Sequence, residues 1–299
     1  MRPIRAIRSL STALLVPTLM FASQSLAQPQ PAWAAVDQAL GRPGTTQPDG
    51  VRRYGFPRSD LHVQLDGVTI KPALALGGWL AFEPMGTSSM VMGDLVLTPE
   101  EVNPVMSELL KGGIQVTAVH NHLLRSSPPT VYMHVRGQGD PAKLAAALHA
   151  GLAVSHTPLR AAPPTSPTAI DLDTAAVDRI MGRQGKANGG VYQFTFPRAE
   201  KIVDGGMAAP ASMGTGTAIN FQPVGGGRSA TTGDFVMIAS EGDPVMRTLR
   251  SSGIEVTALH SHMLGEQPTV YFMHFWGIGN TAQLATGLRT ALDRMNIQR

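Results

Sequence analysis

The chain has no cysteine among its 299 residues. Disulfide bridges, thiolate metal ligands and cysteine nucleophiles are therefore excluded, and a lipid cannot be attached to a leader cysteine. The fold has to be held together by an ordinary buried core, which a chain of this length can supply. Any metal site must be built without cysteine sulfur.

An excess of charge of one sign is also missing. Charged residues make up 15% of the chain, and the formal net charge is +3. Arg2, Arg5 and Arg8 precede the first apolar segment, and without them the side chains carry no net charge. No stripe of lysine and arginine occurs further along. A nucleic-acid partner is therefore not expected.

The apolar run near the N-terminus, Leu10–Ala22, is too short to span a bilayer. It follows the basic residues and precedes Ser25-Leu26-Ala27, which places small residues at the −3 and −1 positions of a cleavage site. We therefore predict a signal peptide over residues 1–27, cleaved after Ala27. The mature chain is expected to be periplasmic or secreted, with no stable membrane anchor.

The two halves of the sequence repeat each other. Phe56-Pro-Arg58 returns as Phe196-Pro-Arg198, and Gly93-Asp94 returns as Gly233-Asp234. A repeat of about 140 residues is much longer than a solenoid repeat and has the size of a small domain. The sequence thus predicts one module that occurs twice.

We place the first module at residues 28–157, a Pro-rich linker at 158–170 and the second module at 171–299. Each module is predicted to contain a short helix, three strands, a helix, a hairpin and a last helix. Clustered strands with helices on one face form an α+β fold with a mostly antiparallel sheet. Because each sheet would leave an apolar face uncovered, the modules are expected to pack together with pseudo-twofold symmetry.

Six of the nine histidines lie in two copies of one pattern, His-x-His followed after eleven residues by a third His. They are His120, His122 and His134 in the first copy, and His260, His262 and His274 in the second. Alternate residues of a strand share a face, so the first two of each set should point the same way. With a turn at Ser127-Pro128, His122 and His134 are predicted to lie nearly opposite each other in an antiparallel hairpin.

Three imidazoles on one face can cap a metal ion and leave positions open, which is the pattern of catalytic metal sites. A divalent transition metal is the predicted cofactor, with Zn²⁺ as the first expectation and Cu, Fe or Mn as alternatives. Metal-free acid/base or ligand-binding histidines and purely structural histidines are the competing interpretations. Most of the 15 methionines suit core positions. Met133, Met263 and Met273, which lie near the histidines, are the exceptions.

Two glutamates are candidate ligands or general bases. Glu266 follows His262 by four residues, where the first module has Ser126. Glu83 occupies the position at which the second module has Gln222. A carboxylate offsets the charge of a divalent cation, and either glutamate could accept a proton. The second module is therefore predicted to hold the tighter site, while Arg125 should weaken the first one.

The segment from His260 to Glu266 reads His-x-His-x-x-x-Glu, which resembles the first half of the germin/cupin metal motif. In that family three histidines and a glutamate hold Mn or Fe. His274 follows Glu266 by only eight residues, which departs from the family, and the usual glycine pattern is missing. The resemblance implies similar ligand chemistry and not a jelly-roll fold.

Over most of residues 35–294 the chain also resembles the bacterial LppY/LpqO family of exported proteins, which contain a duplicated domain of unassigned function. The segments that carry this resemblance are His120–Leu123, His260–Leu264, Glu266–Pro268 and His274–Gly277. Several family members carry a lipid-attachment cysteine that is missing here. The resemblance implies export and duplication but supplies no reaction.

The leading functional hypothesis is an exported metal-dependent enzyme of the hydrolase type, in which metal-activated water attacks a small-molecule substrate. One alternative is a non-catalytic protein that binds a metal or another ligand. A second alternative is a redox enzyme of the germin kind. The sequence identifies neither the substrate nor the oligomeric state.

Overall fold

The computed structural model describes residues 33–160 and 169–298. The signal peptide predicted over residues 1–27 and most of the predicted linker lie outside the described residues, so they stay predictions. Within the described ranges, no helix is both long and apolar enough to cross a membrane.

The first module contains four helices and eight strands. In chain order they are α1 (Trp33–Leu40), β1 (Thr45–Thr46), β2 (Arg52–Pro57), β3 (Gln64–Leu65), β4 (Val68–Thr69), α2 (Pro72–Ala75), β5 (Gly77–Met85), β6 (Ser88–Leu97), α3 (Pro99–Lys111), β7 (Gln115–His120), β8 (Val131–Gly139) and α4 (Pro141–Ala153).

The second module repeats this order, with a turn of 3₁₀ helix at Ala211–Met213 in place of α2. Its elements are α5 (Thr174–Met181), β9 (Lys186–Asn188), β10 (Val191–Phe196), β11 (Val203–Asp204), β12 (Met207–Ala208), β13 (Thr217–Gly225), β14 (Arg228–Met237), α6 (Ala239–Ser251), β15 (Glu255–His260), β16 (Tyr271–Asn280) and α7 (Thr281–Leu292).

Each module forms a six-stranded antiparallel sheet, and the two sheets have equivalent strand orders, β1-β2-β5-β6-β8-β7 and β9-β10-β13-β14-β16-β15. The histidine-bearing strands β7 and β15 are therefore both edge strands. A separate two-stranded ribbon accompanies each sheet, β3 with β4 and β11 with β12. The predicted α+β fold with a duplicated module is confirmed.

The helix boundaries follow from local sequence signals. Thr98 and Glu101 form a capping box at the start of α3, and Gly113 follows its end with a φ of 77°. Asp140 accepts a hydrogen bond from the backbone N–H of Lys143 and caps α4. The same helices of the second module begin and end at equivalent positions.

The outer face of each sheet is covered by the helices of its own module. In the first module Leu80 and Leu95 of the sheet pack with Val105 of α3 and Leu148 of α4, and all four are buried. The second module has an equivalent core between its sheet and its helices. These contacts explain why one face of each strand is apolar.

The inner faces of the two sheets pack against each other. Ala81 and Met92 of the first module share a buried cluster with Met213, Val236 and Phe272 of the second. A second mixed cluster lies on the other side of the boundary. The molecule therefore has four layers, helices, sheet, sheet and helices, and the predicted pseudo-twofold packing is confirmed.

Each two-stranded ribbon contacts the other module through an aspartate that lies in its turn or directly before it. Asp66 accepts a hydrogen bond of 3.0 Å from the indole N–H of Trp276. At the equivalent place Asp204 forms an ion pair with Arg136. The first ribbon is short, since only Gln64–Leu65 and Val68–Thr69 are paired in it.

Candidate metal centre

The six repeated histidines meet in one place at the boundary between the modules. We call His120, His122, His134, His260, His262 and His274 the histidine cluster. Its rings stack in three pairs, and each pair joins one module to the other. Ring centroids are 3.7 Å apart for His120 with His260, and 3.6 Å apart for His122 with His274 and for His134 with His262.

The path of the edge strands explains this pairing. His120 ends β7 and stacks on His260, which ends β15. Arg125 lies in the loop after β7, and its guanidinium Nη2 is 3.0 Å from Oε2 of Glu255 at the start of β15. The two strands therefore run in opposite directions across the boundary, and the pseudo-twofold axis passes between His120 and His260. Arg125 also pairs with Asp66, so it does not face the histidines of its own module as expected.

The predicted register of the histidine hairpin is wrong. His134 faces Ala118 in the ladder, and a bulge interrupts the pairing just before Ala118. His122 is not paired in the ladder at all, because β7 ends at His120 and residues 121–130 form a loop. His122 reaches the cluster from this loop and not from the strand, and His262 does the same in the second module.

Aromatic rings hold these two loop histidines from their outer sides. His122 stacks on Tyr132 with ring centroids 3.4 Å apart, and His262 stacks on Phe272 at 3.5 Å. The Tyr132 hydroxyl donates a hydrogen bond to the carbonyl oxygen of Ala75. Each loop imidazole is thus clamped between an aromatic ring of its own module and a histidine of the other.

Two aspartates that the sequence reasoning did not assign to the site lie beside the cluster. Asp94 faces His134 in the β6–β8 ladder, and Asp234 faces His274 in the β14–β16 ladder. One carboxylate oxygen of Asp94 is 3.6 Å from Nε2 of His134. The signal was present, because a Gly-Asp pair recurs at the same place in both modules.

Burial shifts the protonation equilibria of these groups. It raises the pKa of Asp234 to about 8, and burial together with the charge of Asp234 raises the pKa of Asp94 well above its usual value. Burial, and then the neighbouring His260, lowers the pKa of His120 to about 3. The other five histidines have lowered pKa values, with burial as the main cause. The stacked rings are therefore neutral at pH 7 and carry a free lone pair.

Many of the polar atoms in the cluster have no hydrogen-bond partner. Nε2 of all six histidines is buried and unpaired, and so is one carboxylate oxygen each of Asp94 and Asp234. A buried polar atom without a partner costs about 1–3 kcal/mol. So many unpaired atoms in one place are typical of a shell that surrounds a ligand.

The unpaired atoms are arranged in groups that could hold a metal ion. Four sets of three residues each have ligand atoms within 4.8 Å of one another. They are His120 with His134 and His262, His120 with His260 and His274, Asp94 with His122 and His134, and Asp234 with His262 and His274. Two of these sets combine residues of both modules, and the other two each lie within one module. The prediction of one self-contained site in each module therefore stays a prediction, beside the alternative of a shared site that the sequence did not suggest.

The tautomer of His274 agrees with a role as ligand. Its Nδ1 is 3.0 Å from the carbonyl oxygen of Gly233. Since a carbonyl can only accept, Nδ1 carries the proton and Nε2 keeps the lone pair that points into the cluster. A backbone carbonyl commonly orients a metal-binding histidine in this way.

The two predicted glutamates do not belong to any of the four groups. Glu266 is buried, and its carboxylate accepts a hydrogen bond of 2.9 Å from the backbone N–H of Val270. It therefore orders the loop after β15. Glu83 is partly buried, and burial and the charge of Asp49 raise its pKa. Their assignments as ligand or general base stay predictions.

The fold and the site define a class of protein: a duplicated α+β module with a buried histidine cluster shared by its two copies. Residues 34–154 and 175–294 each match the family described as Domain of Unknown Function (DUF1259). The chain belongs to that family, and the double match confirms the duplication. The LppY/LpqO name is not carried by this match.

Other comparisons add little. No curated protein matches the chain. Among solved structures, a trimeric bacterial microcompartment shell protein, PduB, aligns with 82% of this chain and 88% of its own length. The identity is 14% and the TM-score is 0.19. At that TM-score, neither a shared fold nor a shared function follows.

Proposed function

We propose that the protein is an exported metal-binding protein whose histidine cluster holds a transition-metal ion. The observation that carries this proposal is the convergence of six unpaired imidazole Nε2 atoms and two unpaired carboxylate oxygens at one buried place. Without a cation, the desolvation of each of these atoms costs free energy that no hydrogen bond compensates. With one, they become its ligands.

The donor set favours a borderline metal. Neutral imidazoles with a carboxylate suit Zn²⁺, and they also bind Cu, Fe and Mn. Asp94 and Asp234 would ionise as ligands, because a cation nearby stabilises the charged form that burial disfavours. Zn²⁺ is therefore our first assignment, and metal analysis decides among Zn, Cu, Fe and Mn.

The space beside the histidines supports binding and carriage more than turnover of a bulky substrate. The cavity that His134 and His262 line has a volume of about 10 Å³. That is room for about one water molecule. A cleft of about 390 Å³ lies elsewhere, around Arg198 and Lys201, and is not lined by any residue of the histidine cluster.

Hydrolysis of a small-molecule substrate is the second candidate, and the partial exposure of His120 and His260 supports it. These two rings lie at the edge strands, from which a small molecule could approach. A zinc ion held there would supply Lewis acidity. Asp94 or Asp234 would accept a proton, while Glu83 and Glu266 are the bases that the sequence suggested.

Export and the LppY/LpqO assignment are part of the same proposal. The sequence features of residues 1–27 support export, and the segments His120–Leu123, His260–Leu264, Glu266–Pro268 and His274–Gly277 support the family assignment. Expression of the full chain in a bacterial host, followed by N-terminal sequencing of the periplasmic fraction, tests the leader. A mature chain that begins at Gln28 is expected. A full-length chain confined to the cytoplasm would exclude export.

Metal analysis of protein purified without an affinity tag tests the binding function. We expect stoichiometric metal in the wild type and little in His134→Ala or His274→Ala. His149→Ala, on α4 and outside the cluster, is the matched control and should keep its metal. Wild-type protein that stays metal-free after incubation with Zn²⁺, Cu²⁺, Fe²⁺ and Mn²⁺ would refute the proposal.

A further inference from the structure

The small cavity on one side of the histidine cluster has sulfur in its wall. Besides the rings of His134 and His262, it is lined by Met92, Met213 and Met263. We call these five residues the methionine pocket. We propose that the methionine pocket binds the soft monovalent cation Cu⁺, whereas the rest of the histidine cluster prefers a divalent ion such as Zn²⁺. The proposal rests on the metal binding proposed above.

The donors in this pocket suit Cu⁺ better than Zn²⁺. Thioether sulfur and imidazole are ligands that Cu⁺ prefers, while carboxylates suit harder ions. The chain has no cysteine, so methionine is the softest donor it has. Nε2 of His134 and of His262 is buried and unpaired, and the two rings are stacked.

The three equivalent positions on the opposite side of the cluster carry no sulfur, although the fold is the same. The residues at the positions equivalent to Met92, Met213 and Met263 are Thr232, Leu74 and Leu123. The Thr232 hydroxyl is engaged with the carbonyl oxygen of Phe275. A soft ion would therefore find sulfur on one side of the pseudo-twofold axis only.

Methionines also fill irregular gaps in cores, and this is the competing explanation. Met92, Met213 and Met263 do belong to the buried cluster between the sheets. Met90 belongs to that cluster too but does not line the pocket. A Met90 variant therefore shows the effect of altered packing without altered metal ligands. Met133 and Met273 pack in the helix-side cores, and neither lines the pocket.

The test replaces each pocket methionine with the residue of the other module, as Met263→Leu, Met213→Leu and Met92→Thr. Cu⁺ affinity is measured without oxygen, with ascorbate present, by competition against a chromophoric Cu⁺ chelator. Zn²⁺ affinity is measured against a zinc chelator. We expect each variant to lose at least about tenfold in Cu⁺ affinity and to keep its Zn²⁺ affinity. Met90→Leu should keep both affinities.

X-ray absorption at the copper edge supplies a second readout that a packing role would not change. Wild-type protein loaded with Cu⁺ should show sulfur neighbours of copper, and Met263→Leu should show fewer. Wild-type protein without measurable Cu⁺ affinity, or pocket variants that bind Cu⁺ like the wild type, would overturn this inference while Zn²⁺ binding stands. Wild-type protein that binds none of Zn²⁺, Cu²⁺, Fe²⁺ and Mn²⁺ would instead remove the proposed function itself.

Discussion

The two modules agree in the atoms that could bind a metal and differ in what surrounds them. Both place three histidines and one aspartate at equivalent positions. Around those groups the first module has Tyr132 and Arg136, where the second has Phe272 and Trp276. Shared donors within different surroundings support the proposal of one centre built by both modules, with surroundings that differ on each side.

The largest expected effect on stability and metal binding comes from separating the two modules. A fragment of residues 33–160 alone exposes the inner apolar face of its sheet, so we predict that it neither unfolds cooperatively nor binds metal. Thermal unfolding followed by near-ultraviolet circular dichroism measures this. As a control, full-length protein cleaved at a protease site inserted within residues 161–168 should elute as one species that keeps its metal. A single module that melts cooperatively as a monomer would show that the sheets do not depend on each other.

Replacing either aspartate with asparagine should lower metal affinity by similar factors. Asp94→Asn and Asp234→Asn remove a charged ligand but keep its shape, and a loss of about 10- to 100-fold is expected for each. The metal-free variants should melt at the same temperature as the wild type or higher, since burial already disfavours the charged forms. Chelator competition and calorimetry measure the two quantities. If only one of the two variants lost metal affinity, only one side of the centre would bind metal.

Acid should destabilise the metal-free protein. The cluster histidines have lower pKa values when folded than the value of about 6.5 in unfolded chains, so the unfolded state takes up protons first as the pH falls. Each histidine then lowers the free energy of unfolding by up to about 1.4 kcal/mol per pH unit below pH 6.5, and for His120 this continues to about pH 3. Asp94 and Asp234 act in the opposite direction, because their pKa values are raised, but the six histidines outnumber them.

Urea unfolding between pH 4 and 8 measures this dependence. His134→Gln and His274→Gln should flatten the curve equally, because the two positions are equivalent. Unchanged stability between pH 7 and 5 would show that the rings are not buried as neutral groups.

The contacts at the ribbon turns should have the smallest effect. Trp276→Phe removes the indole N–H that Asp66 accepts but keeps a buried ring, so a loss of about 0.5–1.5 kcal/mol is expected. Arg136→Met removes the ion-pair partner of the buried Asp204 and should cost more. Chemical denaturation measures both free energies. Equal costs would mean that the two ribbons hold the modules together by the same chemistry.

Much of the fold could be predicted from the sequence because its signals are local. The caps at Thr98 and Asp140 and the apolar faces of the strands depend on neighbouring residues only. The repeat itself identified the six histidines. Asp94 and Asp234 were visible in the repeat as well, but nothing local distinguished them from aspartates in a turn.

The arrangement of the site could not be predicted because it depends on how the two sheets pack. His122 pairs with His274 only because β7 and β15 run in opposite directions across the boundary. A loop, whose conformation the sequence does not specify, carries His122 out of the ladder and so changes the register. Glu266 satisfies the spacing of a metal motif, yet its carboxylate is used by the backbone N–H of Val270.

The central claim is that the two modules build one metal centre together. Anomalous diffraction at the zinc edge, from crystals of tag-free protein loaded with Zn²⁺, tests it most directly. We predict an anomalous peak within the histidine cluster whose nearest nitrogen atoms include imidazoles of both modules. Peaks that lie away from the cluster, or that contact the histidines of one module only, would contradict the account.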